Sequence, residues 1–463
     1  MSQNLSTRIR LAYSLPGLFL SVVGVPLFIY IPKFYTDVVG VNMAILGGII
    51  LAARVIDAVT DPAVGLISDR TSSRFGRRRP FMALGSIGLS LFLVMLYMPP
   101  QASSTLATWW FGTSLILLTL FWTIVEVPWE SLGPELTFDY DQRTSLFALR
   151  DGLMVLGTLL AVASPWLISS ALNVNPNGSG QRTSFALFAL IYAPLLLATL
   201  WWCVISVQER MTSTIPEKTS FWPGLLQARE NKPFLILLAA YTIASIGSNL
   251  PATLILYYVQ YVLGAPSAEI FLLEYFAVGI LCLPLWVRLA RIVGKKQAWL
   301  GAMAVNTGAF LGVFFLGRGD VVLYGLLVAL SGVGFGASLA LPSAMQADVI
   351  DYDELLHAKR QEGQYIGIWS VAKKLSSALG MGLALPLLGL AGYVPDQPQP
   401  PQVILTLKIL YALVPCLFNI LAIGVALAYP LNKTKHQAIL AAIQDRREGR
   451  PVEDPLHPGR ILA

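Results

Sequence analysis

The chain has 463 residues, of which 55% are hydrophobic and 13% charged, with a formal net charge of +6. Soluble domains carry about 25% charged residues, so this composition excludes an ordinary soluble fold and describes a polytopic membrane protein. The positive balance is no nucleic-acid footprint, because the basic residues sit between apolar runs, where membrane topology accounts for them.

Apolar windows of spanning length recur twelve times, at 13–34, 43–67, 81–99, 106–129, 145–171, 184–206, 235–262, 267–287, 297–317, 321–344, 364–392 and 405–430. The first is longer than a signal-peptide core and is read as a retained helix. Connections 100–105 and 263–266 carry no Lys or Arg. The connection after the second span holds Arg70, Arg74, Arg77, Arg78 and Arg79, and that after the eighth holds Arg288, Arg291, Lys295 and Lys296. By the positive-inside rule these loops and both termini are expected in the cytoplasm. The expected organisation is a six-helix bundle over 1–206, a cytoplasmic linker over 207–233, a second bundle over 234–430 and a cytoplasmic tail over 431–463. The predicted fold is therefore all-α, twelve transmembrane helices in two pseudo-symmetric six-helix bundles. A midplane site between such repeats is the architecture of many secondary transporters.

The second span carries Arg54, Asp57 and Asp61. Spacings of three and four put them on one helical face. An ionisable side chain at the bilayer centre costs about 2.5–3.5 kcal/mol, while each large aliphatic residue returns only about 0.3–0.6. This face therefore points to protein or to a wet cavity. A carboxylate pair one turn apart offers hard oxygen ligands to Na⁺ or Li⁺, or holds a proton. One acid satisfies Arg54 as a helix-pairing charge and the second is left without a partner.

The loop after this span reads Gly65-x3-Asp69-Arg70, then Gly76-Arg77-Arg78-Arg79. It resembles the signature loop of the major facilitator superfamily, in which the glycine allows close helix approach and the acid and arginines form a conformational latch. Further blocks follow in order: Tyr35-Thr36-Asp37-Val38-Val39-Gly40, then Glu126-Val127-Pro128-Trp129-Glu130, Asp141-Gln142-Arg143-Thr144, Arg150, Ala347-Asp348-Val349-Ile350-Asp351-Tyr352, Arg360-Gln361-Glu362-Gly363 and Lys373-Lys374-Leu375. Together they resemble the glycoside–pentoside–hexuronide:cation symporter family.

The resemblance implies a cation-coupled carrier of sugars or glycosides working by alternating access, with Na⁺, H⁺ or Li⁺ as coupling ion and no other cofactor or metal. It implies Asp57, Asp61 and Thr123 at the cation, and Glu126, Trp129, Arg150, Ser370 and Lys374 at the substrate. Gly65, Asp69, Arg70, Arg77 and Arg78 would form the latch. Lys373 remains an alternative to Lys374 as the cavity-facing residue. The family's span-one substrate acid falls here at Ser21, and its tryptophan four residues past the span-four acid is replaced by Glu130, so a galactoside is not implied. The implied setting is the cytoplasmic membrane of a bacterium, with membrane lipid and a small-molecule substrate as partners, no nucleic acid, and a functional monomer. Three rivals stand beside this reading, one of them a transport-fold receptor without flux, for which a long soluble signalling domain would be expected. A lysolipid carrier of the same fold would need a laterally open apolar cavity. An intramembrane enzyme would need a catalytic motif such as His-Glu-x-x-His or Gly-x-Ser-x-Gly, and the chain has neither.

Overall fold

The computed structural model of the chain describes residues 6–71, 73–137, 140–171, 179–207, 209, 228–358, 362–395 and 397–462. Among the described residues, twelve long helices follow one another: α1 Thr7–Val39, α2 Met43–Arg70, α3 Arg79–Tyr97, α4 Ser104–Leu136, α5 Tyr140–Ala171, α6 Ser179–Ser206, α7 Lys232–Leu263, α8 Glu269–Val293, α9 Lys295–Phe314, α10 Val321–His357, α11 Glu362–Leu390 and α12 Pro401–Leu427. Among the described residues, eleven of these are long and apolar enough to cross a membrane. The other is α9, of 20 residues, whose Gln297, Asn306 and Thr307 lower its apolarity. It stands where the span 297–317 is expected.

Local chemistry sets the helix ends. Asn42 accepts the Ala44 and Ile45 N–H groups at 3.0 and 3.2 Å, and Asn231 accepts that of Phe234 at 3.0 Å. These side chains satisfy donors that a helix start leaves without intrahelical partners. Three helices widen into π-helical turns, at Phe34–Val39, Tyr258–Leu263 and Ile409–Leu413. The first two stop at Gly40 and Gly264 in the left-handed region. Pro16, Pro26 and Pro32 lie inside α1 without ending it, as neighbouring helices in a bundle permit.

Helix adjacency repeats with an offset of six. α1 packs on α5 and α6, α2 on α4, and α3 on α4 and α6. In the second half, α7 packs on α11 and α12, α8 on α10, and α9 on α10 and α12. The halves meet through α2 with α11, α5 with α8 and α1 with α7. The α2–α11 contact is tight: a Cβ on Gly47 would stand 2.3 Å from Pro386 Cδ, and one on Gly382 would stand 2.7 Å from Leu51 Cβ. One apolar core runs through both halves at the end where α1 and α7 finish, and includes Phe34, Tyr35, Tyr257 and Leu385. A second core, with Trp286, Trp299, Tyr352 and Tyr365, belongs to the second half at the opposite end.

The tail is more structured than its composition suggests. Helix α13 (Lys433–Arg447) packs on α10 and buries Ile439, Ala442 and Ile443. Strands β1 (Val452–Glu453) and β2 (Ile461–Leu462) pair antiparallel after it. Tyr352 on α10 donates to Asp454 at 3.0 Å, fastening the hairpin to the bundle.

Candidate functional site

The α2 face assembles with α4 and α11. Thr123 on α4 is fully buried, and its hydroxyl lies 2.9 Å from Asp57 Oδ1 and 3.1 Å from Asp61 Oδ1. Arg54 Nη1 lies 3.5 Å from Asp57 Oδ2, and its guanidinium sits 3.7 Å above the Phe28 ring. Lys374 Nζ, from α11 in the other half, is 3.1 Å from Asp57 Oδ2 and also binds Asp61 Oδ2. The two aspartates are thus spanned on one side by a hydroxyl and on the other by an ammonium. Glu126 lies within electrostatic reach of Glu130, Lys374, Asp57, Asp61 and Arg54. No hydrogen bond or ion pair engages its carboxylate among the described residues. With Asp57, Asp61 and Glu126 ionised, these three carboxylates face the two cations Arg54 and Lys374, one positive charge short, and the exposed Glu130 adds negative charge beside Glu126. Four carboxylate oxygens and a hydroxyl on Asp57, Asp61 and Thr123 are a donor set suited to a hard cation.

Trp129 and Arg150 form a separate group. The Trp129 indole is buried, donates to the Tyr13 carbonyl at 2.9 Å and stacks on the Tyr13 ring with centroids 5.6 Å apart. It fills the α1–α4 contact and offers no free face here. Arg150 Nε binds Asp151 at 2.8 Å, and its guanidinium lies 4.6 Å from the Phe147 centroid and 6.0 Å from that of Trp129. The structure therefore gathers Arg54, Asp57, Asp61, Thr123, Glu126 and Lys374, and does not bring Trp129 and Arg150 into direct contact with them.

The neighbouring lysines part company. Lys374 joins the aspartates, whereas Lys373 and Ser370 line a cavity of about 570 Å³ in the second half. That volume lies within the roughly 300–1,000 Å³ usual for small-molecule sites. Its wall carries Tyr241 and Trp369, a ring pair with centroids 4.3 Å apart. Asn249, Asn306 and Gln346 add neutral hydrogen-bonding groups, and Lys373 is the single charged residue among the described lining. None of these neutral residues stands out in the sequence, because they are scattered over α7, α9, α10 and α11 with no charge or spacing to mark them.

The loop after α2 is engaged from beyond α6. The Asp69 side chain lies outside the described residues, as do the side chains of Asp141, Arg143 and Thr144 and residues 359–361. Among the described residues, Glu209, beyond α6, is an acid that engages this loop. It accepts the backbone N–H groups of Arg77, Arg78 and Arg79 at 2.6, 2.9 and 2.7 Å. A carboxylate on the opening N–H groups of α3 matches the positive end of the helix dipole. Gly76 makes this approach feasible: its φ is +104°, and a Cβ there would stand 2.6 Å from Glu209 Oε1. Arg78 also donates to the Ser131 carbonyl and Arg79 Nε to that of Val204 at 2.6 Å. Arg70 is exposed at the end of α2. Among the described residues, a Cβ on Gly65 would meet Val127 at an ordinary 3.6 Å. The Tyr35-Thr36-Asp37 block acquires a place at the far end of the halves. Thr36 Oγ1 and Tyr257 Oη are 3.0 Å apart, and Tyr393 Oη donates to Asp37 at 2.8 Å and lies 3.0 Å from Tyr261 Oη.

Two six-helix sets packed with the same adjacency, with a charged cluster from α2, α4 and α11 between them, are the architecture of a major facilitator transporter. Solved structures agree on the fold. A bacterial homologue of the human lysosomal transporter Spinster matches with a TM-score of 0.64 at 13% identity, over 94% of this chain and 97% of that one. A proton-dependent oligopeptide transporter structure matches with a TM-score of 0.62 at 14% identity, over 95% and 99%. A family model described as MFS/sugar transport protein matches residues 12–433, and the chain belongs to that family, the melibiose permease-like sugar transporters. It is a family of integral membrane transporters, not of enzymes. The chain is 27% identical over 458 residues to the glucuronide carrier protein homologue of Escherichia coli, covering 97% of this chain and 98% of that one. It is 26% identical to the isoprimeverose transporter of Lactiplantibacillus pentosus over 92% and 89%. It is 28% identical to a putative sulfoquinovose importer of Salmonella typhimurium over 91% and 89%.

Proposed function

We propose that the protein is a cation-coupled symporter that carries a sugar or glycoside by alternating access, with Na⁺, Li⁺ or a proton binding at Asp57, Asp61 and Thr123. The observation that carries this reading is the charge count of the cluster. Three carboxylates face two cations, and the missing charge is supplied when a cation or proton binds. Lys374 acts as the resident counter-ion. An arriving cation takes over the aspartates and releases the ammonium toward Glu126 or substrate. The carrier reorients when its midplane charge is balanced, because occluding uncompensated charge is costly. Coupling is this difference in cost between the fully and partly loaded states.

The substrate sits in the cavity beside Ser370 and Lys373. A ring pair and neutral amides suit the apolar faces and hydroxyls of a sugar. Lys373 has no ion-pair partner among the described residues, which favours a sugar bearing a negative group, as the names of two relatives, a glucuronide carrier homologue and a sulfoquinovose importer, also suggest. The halves 1–206 and 234–430 move about their shared contacts, joined by the linker 207–233. The contacts of Asp37, Thr36, Tyr257 and Tyr393 hold them closed on the outer side. The monomer works in the inner membrane of a bacterium with both termini and the tail 431–463 in the cytoplasm.

Thermal unfolding of the purified protein with glucuronides, neutral disaccharides and lysolipids, each with and without Na⁺, tests the reading. A sugar that raises the unfolding temperature, and more so with Na⁺ or at lower pH, is the expected result, since ligands of the native state stabilise it. Stabilisation by lysolipid alone would overturn the sugar assignment.

A further inference from the structure

A second cavity, of about 340 Å³, lies at the end of the molecule that carries both termini. Its walls are the end of α8, the α8–α9 turn, the last part of α10, and the segment leading into α13. Arg291, Lys295, Lys296, Lys433 and His436 line it, with Asp348 as the one acid among the described lining. The cations differ in how far they are satisfied. Lys295 Nζ binds Asp348 at 2.7 and 2.8 Å, and Lys296 Nζ donates to the Leu427 and Tyr429 carbonyls at 2.7 and 2.8 Å. His436 Nε2 is 3.0 Å from Asp351. No hydrogen bond or ion pair engages Arg291 or Lys433 among the described residues, and both are exposed. The cavity thus holds a surplus of positive charge on side chains free to bind.

The rest of the wall is apolar, with Leu341 and Leu431 beneath the charged rim. Beside the rim, Leu281, Leu285 and Ile292 form one outward stripe along α8, and Ile292 is 81% exposed. In a membrane this stripe faces acyl chains, and Arg291 immediately precedes its last residue, Ile292. We propose that this cavity binds the phosphate head group of an anionic phospholipid, with Arg291 and Lys433 as its principal contacts and the acyl chains lying along the α8 stripe. The shared chemistry with free phosphate is the anion. The apolar wall and the adjoining lipid-facing stripe favour the lipid. Such basic pockets on the cytoplasmic side of helix bundles are suited to acidic head groups. The bound lipid would bridge α8 to α13 and so pin the tail helix to the membrane surface.

Native mass spectrometry of the detergent-purified full chain tests this with phosphatidylglycerol, phosphatidylcholine and inorganic phosphate as probes. The expected result is one tightly held phosphatidylglycerol per chain, with no such adduct for phosphatidylcholine and no displacement by millimolar phosphate. R291Q/K433Q should weaken phosphatidylglycerol binding about 25-fold, from two surface cations each contributing about fivefold. R8Q/R74Q removes the same charge elsewhere and should leave binding unchanged. Both altered residues of the first variant are exposed and unpartnered, and an unchanged unfolding temperature verifies its fold. Equal retention of phosphatidylcholine, or full phosphatidylglycerol binding by R291Q/K433Q, would overturn the proposal. Displacement by free phosphate would overturn the lipid assignment.

Discussion

Replacing Lys374 with methionine removes the ammonium that holds Asp57 and Asp61 and keeps most of the side chain's volume. At 3.1 Å and an effective dielectric constant of about 20, the gross attraction to Asp57 alone is about 5 kcal/mol. Desolvation of both ions offsets part of that, and removing one partner of a buried pair costs about 3–5 kcal/mol. The Lys374 and Asp61 side chains are 18% and 19% exposed, so water softens the loss, and about 3 kcal/mol is the expected penalty. The variant should therefore unfold several degrees below the parent in buffer free of Na⁺ and Li⁺. An added cation then meets two carboxylates with no resident competitor. At a hundredfold excess over its Kd it returns about 2.7 kcal/mol, which restores most of the lost stability. The parent should respond less, because the cation must first displace Lys374. Thermal unfolding in choline, Na⁺ and Li⁺ buffers reads both effects. A Lys374→Met protein as stable as the parent, and indifferent to Na⁺, Li⁺ and acid, would refute this account of the site.

Three further outcomes are expected. Asp37→Asn weakens the Tyr393 contact that ties the far ends of the halves, and a hydrogen bond to a charged group contributes about 1.5–3 kcal/mol. Labelling of a Ser370→Cys protein from outside the cell should then speed up at least about tenfold, and an unchanged rate would count against that closure. Glu209→Gln keeps an acceptor and loses the charge facing three backbone N–H groups, so denaturant unfolding should show a loss of about 1–3 kcal/mol; unaltered stability would contradict the role given to Glu209. The hydrogen bond from His436 to Asp351, with Asp348 nearby and Lys295 opposing, holds the imidazole above its ordinary value. The folded state binds that proton more tightly than the unfolded state. Its contribution is full below the ordinary pKa of about 6.5 and is lost as pH rises through the higher folded value. Hydrogen exchange in 433–447 should accelerate on going from pH 6 to pH 9, beyond the intrinsic rate change, and His436→Gln should abolish the excess.

The sequence makes the helices and the α2 cluster legible for the same reason. A spanning apolar window is a strong signal, and a charge inside one is expensive enough that its spacing carries meaning. Arg54, Asp57 and Asp61 stand out on both counts, and Thr123 and Glu126 follow from the family resemblance. What escapes is whatever depends on side-chain direction between helices. Trp129 lies one turn from Glu126, yet its N–H finds the Tyr13 carbonyl and the indole turns into the α1–α4 contact. Lys373 and Lys374 are adjacent, and the helix rotation of about 100° per residue sends one to the cavity and the other to the aspartates. Glu209 lies far along the chain from the loop it caps, among the charges of a linker, and only the fold brings it to Gly76. The cavity wall of Tyr241, Asn249, Asn306 and Trp369 is made of uncharged residues that any membrane helix carries.

The central claim is that Asp57 and Asp61 couple solute movement to a cation. Uptake of a radiolabelled glucuronide into proteoliposomes under an imposed Na⁺ or proton gradient tests it most directly. The parent protein should accumulate solute above equilibrium. Asp57→Asn and Asp61→Asn should lose accumulation while still exchanging solute at equal concentrations on both sides. Uphill uptake by both variants at the parent's rate would contradict the account.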